Sequence, residues 1–202
     1  MNLKNLGSRF LLILLIVGIA SSGTAALELS RERGDALQRK LEEVTKNGSK
    51  NPVAARKTPM PELEVNSYLA FNVKDKIPRG LTNPQITMLG DGQLSGRVVV
   101  DFDEVKRHRR SQGLIDPLSY VSGQVPLTAR GVLRGREGKG EFQLTSAEIL
   151  GMPLPKPIVQ ELVSFFSRTR ENPNGFDIDA PFELPAKIRE LVVNRGEAVV
   201  IQ

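Results

Sequence analysis

Two pairs of carboxylates carry a spacing that chemistry could use. Asp101 and Asp103 sit two residues apart, and Asp177 and Asp179 repeat the arrangement. On a strand, residues two apart point to the same side. Each pair would then hold two acids side by side, as glycoside hydrolysis or calcium binding requires. Neither pair lies in a sequence with the form of a metal loop, and apolar residues alternate with both. Such alternation marks a half-buried strand with its acids on the solvent side. A secreted hydrolase would need the fold to gather distant carboxylates.

Other routes to catalysis are closed or poorly placed. The chain has no cysteine, which excludes disulfides, a thiol nucleophile and Cys-ligated zinc or iron–sulfur sites. The single histidine, His108, sits in Lys106-Arg107-His108-Arg109-Arg110. Four cations beside it disfavour both a metal and the imidazolium of a Ser-His-Asp site. Gly135-Arg136-Glu137-Gly138-Lys139-Gly140 lacks phosphate-loop spacing, and Gly140 stands where a magnesium-holding Ser or Thr belongs. It reads as a hairpin turn. No G-x-S-x-G occurs, and no G-x-G-x-x-G opens a helix. No cofactor, metal or catalytic residue is expected.

The cations suit a surface role. Lys106, Arg107, Arg109 and Arg110 form a basic rim, either a solvated loop or a contact for anionic lipid head groups. At a membrane such a contact is worth about 1 kcal/mol per cation. Nucleic acid is not expected as a partner. It calls for a dense basic stripe with aromatic platforms, and this chain has no Trp and only Tyr68 and Tyr120.

Residues 1–26 set the compartment. Lys4 and Arg9 precede an apolar run over residues 10–20, and Ser21-Ser22-Gly23-Thr24-Ala25-Ala26 follows. This order reads as a secretory signal cleaved after Ala25 or Ala26, or as an uncleaved N-terminal anchor. The run is shorter than the roughly 18–20 residues that span a bilayer comfortably. In either case positive charge stays inside and residues 27–202 are exported, to the periplasm or beyond. Loss of Lys4 and Arg9 takes the net charge from +5 to +3, mildly basic.

The elements that must position these groups follow from periodicity. Residues 27–46 predict a charged helix whose narrow apolar stripe is Leu37, Leu41 and Val44. Residues 47–61 break periodicity and read as a linker, so the folded domain is drawn as 61–202. A helix over 62–75 would turn Leu63, Leu69, Val73 and Phe71 inward. Residues 85–89 then form a strand, with Asp91-Gly92 as a tight hairpin turn. In the next strand Leu94, Val98, Val100 and Phe102 share a face with Ser95, Arg97, Val99, Asp101 and Asp103 opposite.

After a polar, basic connection over 106–119, Val121, Gly123, Val125, Leu127, Ala129 and Gly131 alternate on a long strand. The glycine-rich turn leads to Phe142 and Leu144 on its partner, and the repeated glycines predict strong bending. Pro157 suits the first turn of an amphipathic helix in which Ile158, Leu162, Phe165 and Phe166 face inward. Gln160, Glu161, Ser164 and Ser167 face solvent. Residues 176–182 alternate as an extended strand, and a hairpin around Asn194-Arg195-Gly196-Glu197 closes the chain. The order predicts an α+β fold, a curved antiparallel sheet with helices on its concave face.

A helix laid in such a sheet leaves an apolar slot if side chains do not fill it, and an acyl chain needs such walls with a few polar rim groups. Leu69, Val98, Val100, Phe102, Leu127, Phe142, Leu144, Ile158, Leu162, Phe165 and Phe166 are its expected lining.

Three stretches resemble exported bacterial lipid-binding proteins of the LmeA/YpmS type, relatives of the tubular lipid-binding (TULIP-like) superfamily. One is Glu64-Val65-Asn66-Ser67-Tyr68-Leu69. Another runs from Tyr120-Val121-Ser122-Gly123 through Gly151-Met152-Pro153-Leu154-Pro155 to Phe166. The third covers residues 182–200, with Leu184-Pro185 near its start and Gly196 near its end. The resemblance implies a TULIP-like half-barrel around one or two helices and a non-enzymatic, lipid-facing role. It carries no catalytic residue, and the domain is short for a complete lipid-enclosing tube. The implied partners are a lipid or membrane surface. The alternative is an envelope adaptor without ligand, joined to envelope proteins through the 27–46 helix and an open sheet edge.

Overall fold

The computed structural model describes residues 28–108 and 121–202. Residues 1–26, where a signal or anchor is expected, and the cations Arg109 and Arg110 lie outside the described residues, as does the side chain of His108.

Helix α1, Arg31–Gly48, begins where Ser30 in extended conformation accepts a hydrogen bond on Oγ from the Arg33 N–H at 3.3 Å. Such a serine satisfies one of the four free N–H groups of a helix start. Leu37 and Val44 are buried, and Leu41 packs half-buried beside them. The predicted stripe is therefore spent on the core, leaving only the polar face of α1 for any partner. Residues 57–61, read as the end of a linker, instead form strand β1, Lys57–Pro61. It pairs antiparallel with the last strand, and Thr58 and Met60 point inward. Its prolines read as breakers, but β1 is an edge strand, where proline is tolerated.

Helix α2 spans only Glu62–Phe71, followed by a 3-10 turn at Lys74–Lys76. It is anchored to strand β2, Leu81–Gly90. Asn66 accepts from the Ile86 N–H and donates to the Ile86 carbonyl, both at 2.7 Å, and Glu62 accepts from the Met88 N–H. These bonds cap an exposed strand edge. They also set the helix rotation: Val65 and Leu69 turn inward, Leu63 is only half-buried and Phe71 is exposed, a correction to the expected face.

The sheet is α+β in setting, open and antiparallel, with nine strands among the described residues. Strand β3, Gln93–Asp101, follows β2 through the predicted Asp91-Gly92 turn. Strand β4, Gln124–Arg136, pairs with β3 on one side and with β5, Lys139–Ile149, on the other. Val121 and Gly123 precede β4 rather than join it. Short strands β6, Met152–Pro153, and β7, Phe182–Glu183, add to β5. The C-terminal hairpin is β8, Glu190–Asn194, and β9, Glu197–Ile201, in the order β1-β9-β8-β4-β3-β2.

Two breaks in the period-two pattern correct the sequence reading. Strand β3 stops at Asp101, and Phe102 opens a helix, α3, Phe102–His108. Residues 176–181 are turn and coil; only Phe182 and Glu183 are extended. One sheet face carries Ile86, Met88, Leu94, Val98, Val100, Val125, Leu127, Ala129, Leu133, Phe142 and Ala147, buried in one cluster with side chains of α1, α2 and the later helix α4, Lys156–Ser167. Gly131 is required there: a Cβ would lie 2.2 Å from the Phe142 ring. A register shift between Arg130 and Gly131 marks the bulge that the glycines predicted.

The registers define two ends of the sheet. Leu81 pairs with Val100, Val100 with Val125, and Leu127 with Ile149. Strands β2 and β4 thus begin, and β3 and β5 finish, at one end, which α3 follows directly. Helix α2 runs antiparallel to β2 and α1 antiparallel to α2, since Ser30 meets Ser67 while Lys40 pairs with Glu64. The start of α1 and the end of α2 therefore lie at that same end.

Candidate functional site

The carboxylate pairs have structural partners. Asp101 Oδ1 accepts from the N–H groups of Asp103 and Glu104, both at 3.0 Å, and so caps α3. Asp103 Oδ2 accepts from the Gly123 N–H at 3.1 Å, fastening the helix start to the approach to β4. Asp177 holds a local turn by accepting from the Asp179 N–H, and Asp179 pairs with Lys156 at 2.6 Å. The strand that was to align the second pair is absent, because residues 176–181 are not extended. Among the described residues no group of three or more metal-ligating side chains gathers.

The predicted lining divides in two. Leu69, Val98, Val100, Phe102, Leu127, Phe142 and Leu162 are 0–9 % exposed, and Phe102 is the most completely buried. A side chain walling a slot wide enough for an acyl chain keeps accessible surface on that side; these seven touch protein instead. Leu144, Ile158, Phe165 and Phe166 are half-buried, packed against the cluster but reachable.

Helix α4 explains this division. Pro157 sits in its first turn as predicted. Its buried face centres on Val159 and Leu162, not on Ile158 and Leu162, a rotation of about 50°. The polar side chains expected in solvent cause the shift. Gln160 accepts from the Ile178 N–H at 2.9 Å and donates to the Phe176 carbonyl at 2.9 Å. Ser167 accepts from the Phe176 N–H at 2.5 Å, and Ile178 is buried. Residues 176–178 thus lie along the polar side of α4 while the sheet holds the other side. Ile158 and Phe165, two turns apart, fall on the flank of α4 turned away from residues 176–178, with Phe166 edge-on to Phe165 at 5.0 Å. Leu154, also half-buried, precedes the helix in extended chain bonded to β5. Ile158 and Phe165 form a short apolar strip along α4, with Leu154 ahead of its start.

The strip begins at a feature that sequence reasoning passed over. Strands β5 and β6 join through the two-residue turn Leu150-Gly151, where Ile149 pairs with Met152. Both central residues have positive φ, +52° and +77°, as a type I′ hairpin requires. The other two such turns carry Asp91 and Glu137 at the first position. A leucine there is strained, and it is 65 % exposed, with Met152 56 % exposed. The signal was available: an apolar residue before Gly151, where turn chemistry favours Asn or Asp.

Of the basic rim, Lys106 donates to Ser122 Oγ at 3.1 Å and Arg107 is fully exposed beside Glu104. The hydrogen bond to Glu104, then its charge, raises the Arg107 guanidinium pKa. Arg130, Arg134 and Arg136 line the opposite sheet face, where Glu141 stands across from Arg134. At the start of α1 an open hollow of about 470 Å³ is lined by Glu28, Leu29, Ser30, Glu32, Arg33, Ala36 and Arg39, of which only Leu29 and Ala36 are apolar.

No protein-family model matches the chain, and neither a curated protein nor a solved structure matches it. Among the described residues no helix is long and apolar enough to cross a membrane.

Proposed function

We propose that the chain is an exported, non-catalytic envelope protein that binds the acyl chain of a phospholipid or similar ligand, with its sheet curved around the helices as a TULIP-like half-barrel. The observation that carries this reading is the strip of α4. Leu154, Ile158, Phe165 and Phe166 stay partly accessible against a closed core, and Ile158 to Phe165 offers about 10 Å of apolar length. The ligand lies along this flank, on the side of α4 away from residues 176–178, rather than among Phe102, Val98 and Leu162. The register shifts that place extra residues in β2 and, at Thr145, in β5 support a bent sheet. The signal-like residues 1–26 support export.

The test is retention of lipid. The exported chain is purified without detergent, extracted with organic solvent, and the extract examined by mass spectrometry. Phe165→Ser with Ile158→Ser should empty the protein while circular dichroism and melting show a fold. Full retention by this folded double variant removes the α4 flank from the site.

A further inference from the structure

Among the described residues the four large apolar side chains that stand most exposed are Leu29, Phe71, Leu150 and Met152, at 39, 38, 65 and 56 %. They come from three separate parts of the chain, yet all belong to the same end of the fold. Leu29 precedes α1, whose start lies by the end of α2 where Phe71 sits; Arg31 stacks over the Phe71 ring at 5.8 Å. Leu150 and Met152 bracket the turn after β5, and β5 finishes at that end. Helix α4 crosses there: Leu154 donates to the Ala147 carbonyl on β5, and a Cβ on Gly80, just before β2, would lie 3.4 Å from Phe166.

We infer that this end of the fold rests on an anionic lipid bilayer, with Leu150 and Met152 entering its apolar layer and Leu29 and Phe71 at its surface. The inference rests on the lipid-facing reading above and gives it a direction. Scattered exposed leucines are ordinary, but the convergence of such residues on one side marks an interaction surface. Two observations select a bilayer as the occupant. First, the apolar run of residues 10–20 is separated from Leu29 only by residues 21–28. Eight residues reach at most about 28 Å, so in the uncleaved form a membrane holding that run lies within range of this end. Second, the connection into β2 at this end carries exposed Lys74, Lys76 and Arg79 against Asp75 alone, while at α3 Lys106 and Arg107 balance Asp103 and Glu104, and at the start of α1 Arg31 and Arg33 balance Glu28 and Glu32. Cations beside an apolar tip suit anionic head groups above an acyl layer. The strained Leu150 fits: a bulky left-handed residue is kept where its position matters more than its ease. The flank of α4 begins at this tip, so an acyl chain leaving the bilayer would meet Leu154 and then Ile158.

The absence of cysteine makes the test clean, because one introduced thiol is the only one. Leu150→Cys, Met152→Cys, Phe71→Cys and, at the opposite end in the β8–β9 turn, Arg195→Cys are each labelled in the full chain with an environment-sensitive fluorophore. Each is mixed with vesicles of phosphatidylglycerol and phosphatidylethanolamine containing nitroxide-labelled lipid. Emission at 150 and 152 should shift to the blue and be lost to the nitroxide, emission at 71 should fall less, and emission at 195 should not change. If the chain sediments with vesicles but 150 and 152 stay unquenched, or 195 is quenched instead, the orientation is overturned while the lipid-facing reading stands. If the labels at 150 and 152 are shielded from aqueous iodide before vesicles are added, the chain's own N-terminal residues cover this end and the inference fails. If the chain neither sediments with vesicles nor carries extractable lipid, both readings fail.

Discussion

Replacing Leu150 by asparagine separates stability from lipid contact. Leu150 occupies the first central position of a type I′ turn at φ +52°. A left-handed conformation costs an ordinary L-residue roughly 1–2 kcal/mol, and asparagine tolerates it better. Against that relief stands the burial that leucine contributes. Fully burying leucine stabilises by about 1.5–3 kcal/mol. At 65 % exposure about a third of that is realised, about 0.5–1 kcal/mol. Relief and loss nearly cancel, so Leu150→Asn should range from neutral to about 1 kcal/mol more stable, a rise in Tm of up to about 2–4 °C for a domain this size. The assay is urea and thermal unfolding, run beside vesicle sedimentation. The expected pair of results is unchanged or raised stability with reduced vesicle binding. A loss of more than about 1 kcal/mol would show that Leu150 is packed against the protein, and the reasoning that assigns it to a surface contact would be refuted.

Four further expectations follow from the same geometry. Gln160→Ala orphans the Ile178 N–H, which should cost about 1–3 kcal/mol, while the Phe176 carbonyl keeps its bond from Ser164 Oγ; urea unfolding showing under about 0.5 kcal/mol would mean another group holds residues 176–178. Leu162→Ala should cost about 2–5 kcal/mol by cavity formation, and Ile158→Ala clearly less, because only Leu162 is in the closed core; equal losses in unfolding experiments would contradict the rotated face of α4. Asp101→Ala removes the cap of α3 and should cost about 0.5–2 kcal/mol, with lipid retention unchanged; retained stability would deny Asp101 that role. The Tyr68 hydroxyl is held above its ordinary pKa of 10.0 by burial first and by the Glu42 charge second. The unfolded chain therefore releases this proton first, so the contribution is complete below pH 10.0 and is lost as pH rises towards the folded value. Unfolding followed across that range should show stability falling, with a shallower fall in Tyr68→Phe; identical slopes would remove Tyr68 as the cause.

The hairpins were legible because their signals are local. Asp91-Gly92 between alternating runs and Asn194-Arg195-Gly196-Glu197 before the last strand carry their turn chemistry with them. Helix α4 was legible in extent from Pro157 and the apolar spacing, but not in rotation. Periodicity shows that a stripe exists; it does not reveal that residues 176–178 will cover Gln160 and Ser167. At Phe102 the period-two pattern continued across a strand–helix border. The clue lay in Asp101-Phe102-Asp103-Glu104, a capping acid followed by acids in the first turn, which is a helix start. For β1 the prolines suggested a linker, since pairing with β9 joins residues far apart in the chain and leaves no local trace. The candidate site suffered most from this: the core side chains of the expected groove were correctly found to be inward, but which of them remain accessible depends on long-range packing.

The central claim, that this protein holds lipid, is tested most directly by mass spectrometry of an organic extract of the protein, purified without detergent. The account predicts phospholipid or fatty acid near one mole per mole of protein, lost in the Phe165→Ser, Ile158→Ser double variant. A folded protein whose extract contains no lipid would contradict it.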